Sequence, residues 1–573
     1  MPDLSQTQPF AFTCEGGLMK SRSTFIMKPG QALELLNFEP DIKGGYRRIS
    51  GFRKYVNHIV PQTSASSEKV LMVAFFNNNV LAARGEKIFS SASTELSLKI
   101  LQATGMTGSG TITVDSTSGF SSSGTLQINS EIFTYTGKTS TTFTGVTRAT
   151  SSTSAAAHAV NDAVSESWTE RDTGRTSASK YTFERFNFDG NDKIILTDGT
   201  NDPTVFNTSL AATDVTESTV EGAKFVTAFK SHMFYAGMSS TPQELVFSQP
   251  FDEDAFNSGS GAGSIKVDDT IVGMKAFRND LFVFCENRIF KLSGTSSSDF
   301  AITPVTRNIG CVNGDTIQEF AGDLIFLGPD GLRTVAGTAR IGDVELGTIS
   351  ANVQSVFDDN LVDSALFESV VIPDKTQYRI FFAKDGTNED NTRGVICVMK
   401  GQTFEFAELK GIKPSATDTF VEAGNVLVLH GGFDGYIHRQ EKGNDFDGTK
   451  VSGRYRSPDL TFGDPGIRKH MQRVILNFEP EAAINANMFV RYDYEDRNSA
   501  RPAAYPLDST DVVAIYGTST YGTPTYGGAS QPLIRQPVEG SGFAVALRIN
   551  DNATTAPYSL KGFGLEYQVG ARR

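Results

Sequence analysis

The sequence predicts an all-β fold: a β-propeller-like ring of hairpin blades, interrupted by a small inserted β module and followed by a C-terminal β-sandwich domain. Three observations predict it. First, one phrase recurs about six times. A Gly, Asn or Asp turn leads into a short apolar strand, a second turn and another short strand. Each copy is a hairpin that cannot bury its apolar side chains alone, and repetition of such units builds propellers and related arrays. Second, the apolar residues come in short bursts between turn residues, with 54 Gly in 573 residues. Third, after about Phe446 the phrase stops and long period-two runs replace it, the pattern of half-buried strands.

Residues 1–60 read as an N-terminal segment joining the propeller. Gln31 to Phe38 fits a short helix or a strand, stopped at Pro40, because proline disfavours helical geometry in the residue before it. Gly44-Gly45 is a turn, and Tyr46 to Phe52 reads as one strand. The hairpin phrases then run from about Val70 to Arg439. The clearest copies are Phe277–Phe284 with Asn287–Phe290, and Phe320–Leu327 with Asp330–Leu332. Others are Glu422–Leu429 with Asp434–Ile437, and Phe229–Tyr235. Looser copies sit at Asn77–Leu81 and Asp189–Leu196.

A foreign stretch, roughly Thr104 to Val164, breaks this array. It is rich in Ser, Thr, Gly and Ala and carries few charges, yet Thr111–Val114, Thr125–Ile128, Glu131–Tyr135 and Thr142–Arg148 alternate like strands. That is a folded β module set into a loop, where insertions are tolerated. Ser350 to Leu361 places Val353, Val356, Phe357 and Leu361 at helical spacing, which predicts one amphipathic helix capped by Ser350. The expected division is therefore 1–60, propeller over 61–103 and 167–445, inserted module over 104–166, and sandwich over 446–573. The sandwich runs are Arg473–Phe478, Met488–Tyr494, Ala544–Ile549 and Gly562–Tyr567, with a Tyr/Gly loop at Tyr516–Gly527 suited to contact.

Composition narrows function. The formal net charge is -13, which argues against wrapping nucleic acid through a basic surface but allows nucleic acid to slide past. No window approaches the ~18 consecutive apolar residues of a transmembrane helix, so no stable membrane insertion is expected. The start, Met1 to Gln6, has neither a basic region nor an apolar core, so no signal peptide is expected. Cys14, Cys285, Cys311 and Cys397 form no CxxC pair, which favours buried, reduced thiols over a zinc site.

The candidate sites resolve into turn chemistry. Asp385–Asn391 is acidic but lacks the ligand register of an EF-hand loop. Asp198–Asp202 reads as a turn. Gly259–Gly263 lacks the Lys-Ser/Thr pair and βαβ context of a phosphate loop. His58, His158, His232, His430, His438 and His470 show no HExxH and no triad order, although His430 and His438 flank one hairpin and can approach each other. The repeat turns carry Asn279-Asp280, Gly322-Asp323 and Gly424-Asn425, without a carboxylate at one fixed place as a glycosidase would need. The lone Trp168 provides few aromatic sugar platforms. No catalytic, cofactor-binding or metal residue is expected, and no enzyme activity.

Gln31–Pro40 with Gly44–Phe52 resembles the opening of bacteriophage tail proteins. Phe229–Ser248, then Val267–Phe277 and on to Gly294, is similar to the propeller of the tail nozzle proteins of short-tailed phages. The resemblance covers much of residues 16 to 440, in order of elements as well as composition, and the insertion resembles a small β module that decorates phage structural proteins. It implies a homo-oligomeric ring, usually a hexamer, at the distal end of the virion tail, assembled in the host cytoplasm. It implies a tail adaptor ring above, tail fibres or spikes outside, double-stranded DNA passing transiently through the lumen, and no catalytic residues or cofactors. Two alternatives accompany this reading: a receptor-binding or fibre-anchoring tail protein, and a glycan-degrading propeller enzyme.

Overall fold

The computed structural model describes the chain except for residues 1–6, 56–57, 62–68, 93–98, 101–109, 119, 121, 151–152, 177–179, 336–347, 362–365, 384–391, 423, 482–483, 497, 499–500, 509–532 and 573. The described residues are predominantly strands joined by turns. They divide into two compact units. One comprises Met1–Arg53, Thr316–Lys413 and Gln440–Arg573, the other Lys54–Asp315 and Pro414–Arg439.

The unit holding Lys54–Asp315 is a propeller-like array. Its first blade is an antiparallel sheet of Met72–Phe76, Asn79–Arg84, Lys87–Ala92 and Thr169–Asp172. The next three are Thr182–Phe186 to Ala212–Asp214, Phe225–Phe229 to Gly263–Lys266, and Ile271–Phe277 to Ala301–Thr306, each with four strands in chain order. Pro414–Glu422, Asn425–Gly432 and Ile437–Gln440 supply another. The first strands of the blades lie side by side: Pro414–Glu422 against Met72–Phe76, then Thr182–Phe186, Phe225–Phe229 and Ile271–Phe277.

Stacking buries the blades on both faces. Along His232–Ala236, Met233 and Tyr235 pack with Ile195 and Val205 of the preceding blade. Phe234 and Ala236 pack with Leu281 and Val283 of the following one. Strands covered on both sides lose the alternation of a one-sided sheet and read as continuous apolar runs, which is why the recurrent phrase is so apolar. Its turns demand left-handed backbone. Asn77 and Asn78 have φ 45° and 56°, and Lys230 and Ser231 have φ 49° and 65°. Two such residues in a row make the tight hairpin turn whose twist matches the strands.

The inserted module leaves the first blade between its third and fourth strands. Gly124–Ile128, Glu131–Tyr135, Ala163–Glu166 and Lys99–Ile100 form one sheet, and Gly110–Thr113, Thr142–Val146 and Gly137–Lys138 a second. Ile112, Leu126, Phe133, Phe143 and Val164 form a core of its own.

The other unit is a sandwich of two large sheets. The strands expected to form it are present as Ile467–Pro480, Asn485–Tyr492, Val545–Ala553 and Tyr558–Arg572. Tyr455 of the nine-stranded sheet stacks on Phe563 of the seven-stranded sheet at 5.5 Å. The N-terminal segment sews the two together. Gln31 to Phe38 forms neither one helix nor one strand: Glu34–Leu36 joins the nine-stranded sheet and Phe38–Pro40 the seven-stranded one. Asn37 makes the switch with φ 54°. Its buried amide donates to the Lys410 and Ser452 carbonyls at 3.0 and 2.9 Å and accepts from the Lys410 N–H at 2.9 Å.

Three local expectations are corrected. Tyr46 to Phe52 is not one strand but Tyr46–Arg48 followed by the start of Phe52–Lys54. The chain breaks at Gly51, where a Cβ would lie 1.8 Å from the Asp445 carbonyl oxygen. The Phe320 copy is a hairpin, but it lies in the sandwich unit, in the sheet of Gln318–Phe320, Asp323–Gly328 and Gly331–Thr334. The stretch beyond it, Leu366–Ile372 to Thr403–Lys410, extends the nine-stranded sheet through a parallel Leu36–Glu408 pair. The helix is Gln354–Leu361 behind a 3₁₀ turn, and the Ser350 hydroxyl does not cap it. That oxygen accepts from the Leu332 N–H at 3.0 Å instead.

Candidate functional site

In a propeller the first strands are the natural place for chemistry, because side chains from several blades converge there. Here they converge as structural clamps. Asp418, on Pro414–Glu422, accepts the Phe75 N–H at 2.8 Å and pairs with Arg185 on Thr182–Phe186, one blade beyond. Arg185 Nε in turn donates to the Phe75 carbonyl at 2.8 Å. Three blades are thus tied through one carboxylate and one guanidinium, and the Phe75 and Phe420 rings stack beside them at 3.9 Å. Burial raises the Asp418 carboxyl above its ordinary value, against the pull of Arg185 and the Phe75 N–H. Burial raises Glu184 as well, against Lys275 and the Ala228 N–H.

The candidate residues named from the sequence take up structural contacts. His430 and His438 do meet: they are cross-strand partners with rings stacked at 4.9 Å. His438 Nε2 lies 3.1 Å from Asp434. Burial, then the neighbouring His438, pushes His430 well below its ordinary value. His232 Nδ1 is 2.6 Å from the Ser248 carbonyl, and its ring packs edge-on against Phe247 and Phe300. The His58 carbonyl receives the Trp168 indole N–H at 3.2 Å, and burial lowers the His58 ring to about 4. His158 sits 2.8 Å from the buried Glu131. His470 lies on the long Ile467–Pro480 strand.

Asp198 accepts the Thr200 and Asn201 N–H groups at 2.9 and 2.8 Å, closing its own turn. Asn257 does the same for Gly259 at 2.9 Å. Asp280 takes the Ser293 hydroxyl at 2.7 Å. Asp385–Asn391 and Tyr516–Gly527 lie outside the described residues. Among the described residues no three His, Cys, Asp or Glu side chains are arranged to hold a metal, and no helix is long and apolar enough to cross a membrane. The four cysteines are buried thiols. Burial, with Asp269 and Asp268 nearby, pushes Cys285 up to about 12.

The sandwich unit holds a buried charge network that the sequence did not disclose. Glu39 accepts from Lys375 at 2.7 Å, Arg379 at 3.1 Å, Gln377 at 3.1 Å and Arg47 at 3.2 Å. Glu441 pairs with Arg379 at 2.5 Å and with Lys375. Burial alone would raise Glu441, but the two cations hold it well below the carboxylate range. Removing one member of such a network leaves a buried charge unmatched, so these residues act as a structural lock. A second clamp joins the sheets, with Arg48 3.4 Å from Asp551 and 3.0 Å from the Ala553 carbonyl. Burial outweighs Arg48 and raises Asp551 to about 6.

Two of the grooves among the described residues lie in the propeller unit. One, of about 410 Å³, is lined by Lys266, Asp268, Arg288, Phe290, Ile302 and Arg307 among others. The other, of about 320 Å³, lies between the first blade and the inserted module, with Arg171 and Glu166 on its walls. Neither was legible in the sequence. The first depends on how the successive strands between Lys266 and Arg307 pack, the second draws on segments from Asn79 to Arg171, and Arg171 reaches its place through an irregularity of strand register.

The architecture defines an all-β protein with a propeller-like blade array and a β-sandwich. No family model matches the chain, and no curated protein matches it. Solved structures resemble it distantly. Raptor of Chaetomium thermophilum has 8% identity and a TM-score of 0.35 over 73% of this chain, which spans 30% of that protein. The Pan2 WD40 domain of Neurospora crassa has 8% identity and a TM-score of 0.31, covering 70% of this chain and 97% of the domain. An exo-β-1,3-galactanase of Phanerochaete chrysosporium has 10% identity and a TM-score of 0.22, covering 82% and 100%. Likeness of this degree says nothing about activity.

Proposed function

We propose that this chain is a structural virion protein that forms the tail nozzle ring of a bacteriophage, retains the packaged DNA and conducts it during ejection. The observation that carries the reading is the order of elements. An N-terminal segment resembling the opening of phage tail proteins precedes hairpin blades similar to those of tail nozzles, with a foreign β module in a blade loop. Two features support it. The blades are tied by Asp418, Arg185 and Phe75, so the polar groups at the first strands serve cohesion. The chain is acidic, at -13, which suits a wall that DNA must pass without phosphate contacts to Lys and Arg slowing it. A rotationally symmetric ring is closed by heterologous contacts between copies.

The test is copy number in purified particles, by calibrated quantitative mass spectrometry against the capsid protein. Six copies per particle are expected. A stoichiometry incompatible with a closed ring, or absence from the particle, contradicts the proposal.

A further inference from the structure

We propose that the groove between the first blade and the inserted module binds an anionic sugar, a polyol carrying a carboxylate or a phosphate. The groove encloses about 320 Å³, within the range of small-ligand sites. One wall is the blade, with Asn79, Ser90 and Arg171; the other is the module, with Thr125; Glu166 and Ser167 join them.

Arg171 is the informative residue. Along Thr169–Asp172 the pairing passes from Glu170 opposite Phe89 to Asp172 opposite Ile88, skipping Arg171. It is the extra residue of a β-bulge, a device that re-aims a side chain. Its Nε donates to Ser90 Oγ at 2.7 Å, which fixes the guanidinium on the groove wall. Its other guanidinium nitrogens make no hydrogen bond or ion pair among the described residues. By contrast, neighbouring Glu170 pairs with Lys87, and Arg175 with Asp172 and Asp214. Burial lowers Arg171 from its ordinary value, with no carboxylate opposing the effect. A half-buried, anchored guanidinium with free donors is built to meet an oxyanion, and its planar fork matches carboxylate and phosphate alike.

The remaining wall chooses among anions. Ser167 Oγ donates to Thr125 Oγ1 at 2.7 Å, so module and linker present coupled hydroxyls that can still accept and donate. Glu166 on the same wall disfavours a bare anion, and the Ser167–Thr125 hydroxyl pair favours a ligand that carries hydroxyls as well. An anion on a hydroxyl-bearing ring satisfies both. This inference does not depend on the nozzle reading.

The test is calorimetric titration of the full-length protein with trigalacturonate, mannose 6-phosphate, maltotriose and inorganic phosphate. Binding of either anionic sugar at least tenfold tighter than maltotriose and phosphate is expected, and the two arms separate carboxylate from phosphate. Arg171→Gln is expected to weaken that binding at least tenfold, and Arg171→Lys to retain part of it. Equal affinity for maltotriose or for phosphate, unchanged affinity in Arg171→Gln, or no heat from either anionic sugar at 10 mM overturns the proposal. The selectivity among the four probes is read on the native protein, so it stands even if a variant folds poorly.

Discussion

Glu131 should be the keystone of the inserted module. It opens the strand Glu131–Tyr135 and is fully buried. Its carboxylate receives Arg148 Nε and Nη2 at 2.8 and 2.7 Å, the Ala149 and Ala156 N–H groups at 3.2 and 2.8 Å, and lies 2.8 Å from His158 Nε2. Glu131→Gln keeps the shape but removes the charge and turns an N–H₂ towards donors. Breaking a buried ion pair from one side costs about 3–5 kcal/mol. A module of about sixty residues has about 3–9 kcal/mol in total at typical stability per residue. The substitution therefore removes a large share of what holds the module together, while the blades keep their own cores.

Hydrogen exchange followed by mass spectrometry reads this directly. Peptides over Gly124–Ile128 and Glu131–Tyr135 should exchange about a hundredfold faster or more in the variant, since 1.4 kcal/mol is a factor of ten. Peptides over Ile271–Phe277 should not change. Acid gives the same answer without a mutation. Burial raises the Glu131 carboxyl, but Arg148, the Ala156 N–H and His158 outweigh it and hold it at about 2 against an ordinary 4.5. A depressed carboxyl contributes stability above its unfolded value and loses it as pH falls through the folded one. The module should loosen between about pH 4.5 and 2. Module exchange in Glu131→Gln within threefold of the native protein would refute the reasoning.

Asp551 has the opposite sign. Its carboxyl titrates at about 6 instead of 3.8, so the folded state holds this proton more tightly and its contribution to stability declines as pH rises from about 3.8 to 6; a carboxyl ¹³C midpoint near 6 checks it, and one below 4 contradicts it. Gly310→Ala should cost more than about 2 kcal/mol in urea unfolding, because the new Cβ would sit 2.0 Å from the Glu286 carbonyl oxygen. Leu281→Ala, at a fully buried position between blades, should cost about 2–5 kcal/mol by the same measurement. The lumen-facing surface of the proposed ring should be net negative; a channel lined by rings of Lys and Arg contradicts that expectation.

The strands were legible because the recurrent phrase is local. Each copy carries its own turn, as at Asn77-Asn78 and Lys230-Ser231, and its own apolar pairs. The inserted module was legible from a change of composition around period-two runs. What sequence could not give was partnership over distance. The Phe320 copy looks like a blade, yet its strands join the sandwich unit, because nothing in a hairpin states which sheet lies beside it. Asn37 sends adjacent short strands into different sheets through bonds to Lys410 and Ser452, hundreds of positions away. The Glu39 network likewise joins Lys375, Arg379 and Glu441 across three segments. Arg171 was invisible for a different reason. A bulge shifts register without changing residue types, and nothing in the all-polar run Thr169–Asp172 marks Arg171 as the residue left out of the pairing.

The central claim is architectural, and an image tests it most directly. In a cryo-electron reconstruction of the particle with a gold label on this chain, label is expected in a closed ring coaxial with the tail at its distal end, around a continuous passage. Label on radial fibres, off the tail axis, or missing from the particle contradicts it.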